Sequence, residues 1–328
     1  MVISQSPFSA HEVLRLAEVA ALLYDGLLPS EALREAGVPP HSFRRLCLEG
    51  VLHCIRHGVY VTGERWRAAG ASERYRLLVR ATALAANRQP VLSHHSAAVL
   101  HGLPIIGGWP ATVHTVTPGA SGGSRNRSTT GHRGPAPELV ETIDGCRVTS
   151  LARTLVDVAA SSSLLVGVTM LDHALRVGGD PVLTKDALYQ ELALVNPRTG
   201  RRQAEQAIAF ANPLSANPGE TLSRVRIFQL GFEVPELQVC FPGILGGNAY
   251  VDFWWRQVRK IGEFDGFLKY GMGPVLGDRD PGSVVWQEKQ REDALRARVN
   301  SFDRWGWDLA LTPERFSAFL TERGVPRA

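Results

Sequence analysis

Three carboxylates sit where a folded chain seldom tolerates them. Asp252 lies inside the apolar run Ala249 to Trp255 (AYVDFWW), and Glu263 and Asp265 lie inside KIGEFD, residues 260–265. Both runs read as β-strands, and the link from Trp255 to Lys260 is short enough for a hairpin. Alternation puts Tyr250, Asp252 and Trp254 on one face of the first strand. On the second, Glu263 and Asp265 share a face with Phe264 opposite. Acids are depleted in strand interiors, and buried carboxylates need a compensating charge. A divalent cation is the simplest candidate. The chain beyond residue 212 holds no histidine and one cysteine, so the ligands would be oxygens, which points to Mg²⁺ or Mn²⁺ rather than zinc. Upstream, Glu220 falls in the first turn of a helix expected from Gly219 to Leu230, where the helix dipole favours an acid. By itself it reads as a helix-cap acid. Asp265 before Gly266 also reads as a turn initiator.

The elements that must position these groups belong to the last of three expected domains, 1–66, 67–212 and 213–328. The boundary near residue 212 is NPLSANP, a Pro, Asn and Ser cluster. The final region carries five of the seven tryptophans and three of the four lysines; Trp254, Trp255, Trp305 and Trp307 read as core rather than as base-stacking platforms. At the other end, helices are expected at His11 to Leu23, Glu31 to Ala36 and His41 to Leu48, followed by a hairpin from Val51 to Val61 around Gly58. That is the order of a winged helix-turn-helix. Its third helix would enter a DNA major groove with Arg44 and Arg45, and Arg56, His53 and His57 would lie on the wing. A protein-docking role is the alternative, since residues 1–66 hold six arginines against seven acids.

The middle region reads as mainly helical. Ser72 to Ala86 and VLSHHSAAVLHGLP (91–104) are expected helices. Strands at Thr112 to Thr117 and Cys146 to Val148 flank Pro118 to Pro137, which contains Arg125, Arg127 and Arg133 and no acid. That stretch reads as a mobile loop able to touch phosphates, or as a solvated hairpin tip. His94, His95 and His101 raise a metal site, but no carboxylate or cysteine lies at ligand spacing, and ordinary helix histidines are the expectation.

Composition sets the outer bounds. The chain has 328 residues, 44% hydrophobic and 21% charged, with a formal net charge of +4, so folded domains are expected rather than disorder. A sequence pI near 9.0 permits a polyanionic partner such as DNA. No apolar stretch is long enough to span a bilayer and no signal-peptide pattern is visible, so a cytoplasmic protein without membrane contact is expected. Four of the 36 cationic residues are lysines and the rest arginines, a bias that suits a GC-rich genome.

The order of a helix acid, a strand Asp and then Glu-x-Asp resembles the core of the PD-(D/E)XK nuclease superfamily. EFDGFLKYG, VVWQEKQREDALR and WGWDLALTPERF look like the C-terminal, very-short-patch-repair-like domain of actinobacterial proteins that carry an AbiEi-type antitoxin N-terminal domain. HGVYVTG, SHHSAAVLHGLP, VTSLARTLVDVA and GETLSRVRIFQLGFEVPELQV extend the resemblance over nearly the whole chain. It implies an α+β multidomain protein with an N-terminal winged helix-turn-helix, a mainly helical middle domain and a restriction-endonuclease-like mixed sheet flanked by helices. It implies that Asp252 and Glu263 hold the metal, with Asp265 or Glu220 completing the shell. In the superfamily a lysine two residues after the Glu orients water. Here Asp265 occupies that place, and Lys269 or Lys289, the latter on a helix expected from Val285 to Val299, would have to supply the ammonium. Residues 288–293 also read as a salt-bridged solvent face. Where relatives carry an arginine on the last strand after Gly-Trp, this chain reads Trp307-Asp308-Leu309-Ala310-Leu311. Two functions follow as expectations. One is a metal-dependent DNA endonuclease in a toxin–antitoxin or phage-defence setting. The other is a DNA-binding antitoxin-type regulator that keeps the nuclease fold without cleavage, its N-terminal module also able to bind a cognate toxin protein.

Overall fold

The computed structural model describes residues 24–118, 128–177, 183–266 and 281–328. The expected helix His11 to Leu23, Arg125, Arg127 and Lys269 lie outside the described residues. The protein is an α+β molecule with several small sheets. It divides into two compact units. One comprises Met1–Leu103, Gly107–Val158 and Glu191–Pro197; the other comprises Pro104–Ile106, Ala159–Gln190 and Arg198–Ala328.

In the first unit, β1 (Leu28–Pro29) leads into α1 (Ser30–Glu35) and α2 (Pro40–Leu48), then the hairpin β2 (Leu52–Arg56) and β3 (Val59–Thr62). β1 pairs with β3, giving the sheet order β1-β3-β2. Leu28, Leu33, Val38, Phe43, Leu46 and Leu52 meet in one apolar cluster. Leu33, Phe43 and Leu46 are turned inward by the 3.6 period of the helices, and Leu52 by the alternation of the hairpin. Next come α3 (Gly63–Ala68), α4 (Ala71–Leu84) and α5 (His94–Leu100). The Arg-rich stretch after Thr117 is not simply a loop. β4 (Val113–Pro118) pairs in parallel with β5 (Thr129–Gly134), and β6 (Val140–Ile143) pairs antiparallel with β7 (Cys146–Thr149). Arg133 therefore stands on a strand, exposed. α6 (Leu151–Ser161) follows.

The remaining elements are α7 (Leu164–Val177), α8 (Lys185–Val195), α9 (Arg201–Phe210), α10 (Pro218–Gln229), β8 (Glu236–Ile244), β9 (Gly247–Trp255), β10 (Lys260–Asp265), α11 (Pro281–Arg296), β11 (Ser301–Gly306), α12 (Trp307–Ala310) and α13 (Pro313–Glu322). β8, β9 and β10 form an antiparallel meander. β11 then adds in parallel beside β10 after the α11 crossover, giving the order β11-β10-β9-β8. Leu245 and Gly246 both have positive φ (48° and 79°) between the paired ends Ile244 and Gly247, the two-residue turn whose twist suits a hairpin. The last strand ends at Gly306, and Trp307 to Ala310 is helical rather than extended.

Two features fix this sheet. Trp254, Trp255 and Trp305 are buried. Trp305 stacks on Phe253 at 5.3 Å and donates its indole N–H to Ser223 Oγ of α10 at 2.8 Å. α10 also lies close against β10, since a Cβ on Gly219 would come within 1.9 Å of the Phe264 ring. Behind α10, the 1%-exposed Asp172 of α7 accepts from Thr221 Oγ1 at 2.8 Å, Arg224 at 2.7 Å and the Asn212 N–H at 2.7 Å. Removing one member of a buried ion pair leaves the other charge uncompensated. Asp172→Ala is therefore expected to cost about 3–5 kcal/mol, read as a drop in the chemical-denaturation midpoint; a cost below ~1 kcal/mol would show that the pair does not hold α7 to α10.

Candidate functional site: buried carboxylates on a mixed sheet

Glu220 stands in the first turn of α10. Asn217 caps that helix through its side-chain oxygen, which accepts from the N–H groups of Gly219 (2.9 Å) and Glu220 (3.1 Å). The Glu220 carboxylate folds back to accept from the Ala216 N–H at 2.8 Å and from Asn217 Nδ2 at 2.6 Å. Glu220 is thus a helix-cap acid, as one reading had it. The same carboxylate also faces the sheet, where Gln238 Nε2 donates to it at 3.3 Å.

Gln238 stands on β8 between the paired positions Leu237↔Phe253 and Val239↔Val251, and hence across from Asp252. Its φ of 51° is unusual for a strand residue. Its amide also donates to Asp252 Oδ1 at 3.3 Å, while Asp252 Oδ2 accepts from the Phe264 N–H of β10 at 2.9 Å. One side-chain amide therefore joins the two acids. Burial pushes Glu220 up to about 7, with the neighbouring Asp252 charge adding to it and the Ala216 and Gln238 hydrogen bonds opposing it. Burial raises Asp252 as well, against the Phe264 N–H.

Glu263 solves the same problem differently. It is buried at 8% exposure on β10, and the parallel register sets Arg304 of β11 directly beside it. Arg304 donates to Glu263 Oε2 at 2.9 Å and Arg291 of α11 donates to Oε1 at 2.8 Å. Arg291 also bonds Glu288 at 2.9 and 3.0 Å, and Arg304 reaches Glu288 and, at 3.4 Å, Glu292. Burial raises the Glu263 carboxyl against the pull of both guanidiniums.

The sequence pattern has Asp252, Glu263 and Asp265 gathered around a metal, with a lysine nearby. Asp252 lies near enough to Glu263 for its charge to raise the Glu263 carboxyl, but Asp265 is exposed at the end of β10. Lys289 is exposed on α11 and takes no part in the ion pairs around Glu263, which are made by arginines. The expectation missed Gln238, Arg291 and Arg304. A divalent ion with oxygen ligands does not fit this donor set as placed. Two acids are bridged by an amide, the third is already paired to two cations, and among the described residues no group of three or more His, Cys, Asp or Glu side chains is gathered to hold a metal.

In the first unit, Arg44 and Arg45 are exposed on α2, Arg45 lying 3.8 Å from Glu49. Arg56 lies at the end of the hairpin strand β2. It donates to Thr82 Oγ1 of α4 at 2.9 Å, because the packed helix offers a buried acceptor. His53 stacks on Trp66 at 4.0 Å. A histidine cluster appears that spacing did not reveal, assembled from α5 and the β4–β5 pair. His114 and His132 share a 2.9 Å hydrogen bond, and His94 stacks on His132 at 3.5 Å. His95 meets His114 edge-on at 5.4 Å. His101 instead bonds the Thr149 carbonyl at 2.9 Å, an ordinary helix-end contact. Burial holds His94 well below the usual imidazole range and lowers His132 as well. Burial and then the nearby His132 push His95 down to about 4.

No family model matches the chain, and no curated protein matches it. Among solved structures, the crystal structure of the RV2827C protein from Mycobacterium tuberculosis aligns over 65% of this chain and 80% of that chain, with 18% identity and a TM-score of 0.39. Among the described residues no helix is long and apolar enough to cross a membrane.

The two clusters respond to pH with opposite sign. Glu220 holds its proton more tightly folded than unfolded, so its contribution to stability falls as pH rises from the ordinary 4.5 through about 7. Glu220→Gln removes that slope, and the variant should gain on the order of 2 kcal/mol on the wild type between the two ends of the window in pH-dependent denaturation; an unchanged difference would refute the coupling. His95 holds its proton less tightly folded, so its stabilisation is full above 6.5 and is lost as pH falls towards about 4. His95→Phe should flatten that acid limb, and an equally steep loss in the variant would place the acid sensitivity elsewhere.

Proposed function

We propose that the protein is a DNA-binding regulator of antitoxin type, acting in the cytoplasm, whose C-terminal sheet keeps a nuclease-like carboxylate cleft without cutting DNA. The observation that carries this reading is Glu263, both of whose oxygens are held by guanidiniums, with Asp265 in the position where the nuclease pattern has its lysine. The order helix, three-stranded meander, helix and parallel strand supports the nuclease-like assignment of the sheet. Arg44 and Arg45, exposed on α2 beside a β-hairpin, support DNA contact through backbone phosphates. A cognate toxin protein is a second partner that the antitoxin resemblance suggests.

A second reading, a metal-dependent endonuclease, is favoured by one observation: Glu220 and Asp252 lie on a shared amide, a costly pairing of acids.

Titration of duplex DNA by fluorescence anisotropy over a salt series separates the two. The regulator reading predicts binding in EDTA and no cleavage with Mg²⁺ or Mn²⁺. An Arg44→Ala/Arg45→Ala variant should lose affinity, with the slope of log K against log salt reduced by roughly 2. Hydrolysis that disappears in Asp252→Ala would establish the endonuclease instead.

A further inference from the structure

We propose that Arg291 and Arg304 are the resident cations of the carboxylate cleft, held at Glu263 in place of a divalent ion and locking the cleft against one. The inference deepens the reading of a nuclease-like cleft that does not cut.

A carboxylate buried on a central strand must meet positive charge from somewhere. A guanidinium does this with a directional fork of N–H donors and cannot lose its proton. Here two arrive from different elements. Arg304 is Glu263's neighbour across the parallel β10–β11 pair, so strand pairing itself delivers it. Arg291 comes from α11, one turn after Glu288, which it also bonds. Glu263, Glu288 and Glu292 are met by Arg291, Arg304 and Arg296, the last 2.6 Å from Glu292. Three anions and three cations close the network at zero net charge. A divalent ion entering at Glu263 would have to displace a guanidinium and leave it facing other positive charge. Asp252 feels both arginines as well, since each pulls its carboxyl downward against burial.

Two consequences follow. The wild-type cleft takes up no Mn²⁺, and with the guanidiniums gone Asp252 and Glu263 are left without counter-charge and accept one. Mn²⁺ binding to the full-length protein is measured by electron paramagnetic resonance, together with thermal unfolding in EDTA and in Mn²⁺, for the wild type, Arg291→Gln, Arg304→Gln and the double variant. The wild-type midpoint should be the same in EDTA and Mn²⁺. The double variant should bind Mn²⁺ saturably, lose that binding when Asp252→Asn is added, and show a midpoint that is depressed in EDTA and recovers with Mn²⁺. Asp252-dependent Mn²⁺ binding by the wild type would overturn the proposal. So would failure of Mn²⁺ to bind to, or to restore folding of, any of the three arginine variants. Wild-type DNA affinity in EDTA is read in parallel and does not depend on these outcomes, so failure of the lock and failure of the regulator reading remain distinguishable.

Discussion

A buried carboxylate on an interior strand is the constraint that organises the C-terminal sheet. Leaving Glu263 ionised and alone at 8% exposure would cost several kcal/mol. The fold meets that demand with architecture. The parallel register of β11 places Arg304 beside Glu263, and the crossover helix brings Arg291 to its other oxygen. A shift of β11 by one residue would turn Arg304 to the opposite face and bring Trp305 or Asp303 into its place. The ion pair and the strand register therefore specify one another.

The same device recurs within each unit. Asp172 is held by Arg224, and both oxygens of Asp157 share the Arg153 Nε–H at 3.0 Å. Burial nonetheless raises Asp157 to about 6, which marks how incompletely one guanidinium offsets desolvation. The arginine-rich composition suits a GC-rich genome, but these positions use what lysine lacks: a planar fork able to satisfy both oxygens of one acid or to join two acids. Glu220 and Asp252 are the exception. They share an uncharged amide and helix-cap and strand N–H groups, and their proton affinity rises accordingly.

Much of this was legible in the residues. The span Lys260–Asp265 was readable to the residue from its alternation and the glycine after it, and the hairpin to β9 from the short link before it. Glu220 read by itself is a helix-cap acid, and only the superfamily resemblance implies that it belongs beside Asp252. What could not be read was the counter-charge. Arg291 sits in a run of mixed charges whose period suits a solvent face equally well, and only its place on the crossover helix turns it inward. Arg304 carries no signal because the resemblance points to Trp307 and the residues after it for the final strand, whereas the chain pairs from Ser301 to Gly306. Gln238 has no local signal at all, since its role depends on the cross-strand register. The histidine cluster likewise required the parallel β4–β5 pairing, which brings together residues separated by a long connection.

The most direct measurement is a crystal structure of the wild-type protein grown in Mn²⁺, with anomalous scattering recorded to locate the metal. The account predicts no anomalous peak at Glu263 and both guanidiniums within hydrogen-bonding distance of its oxygens. A manganese ion bridging Asp252 and Glu263, with Arg291 swung away, would contradict it.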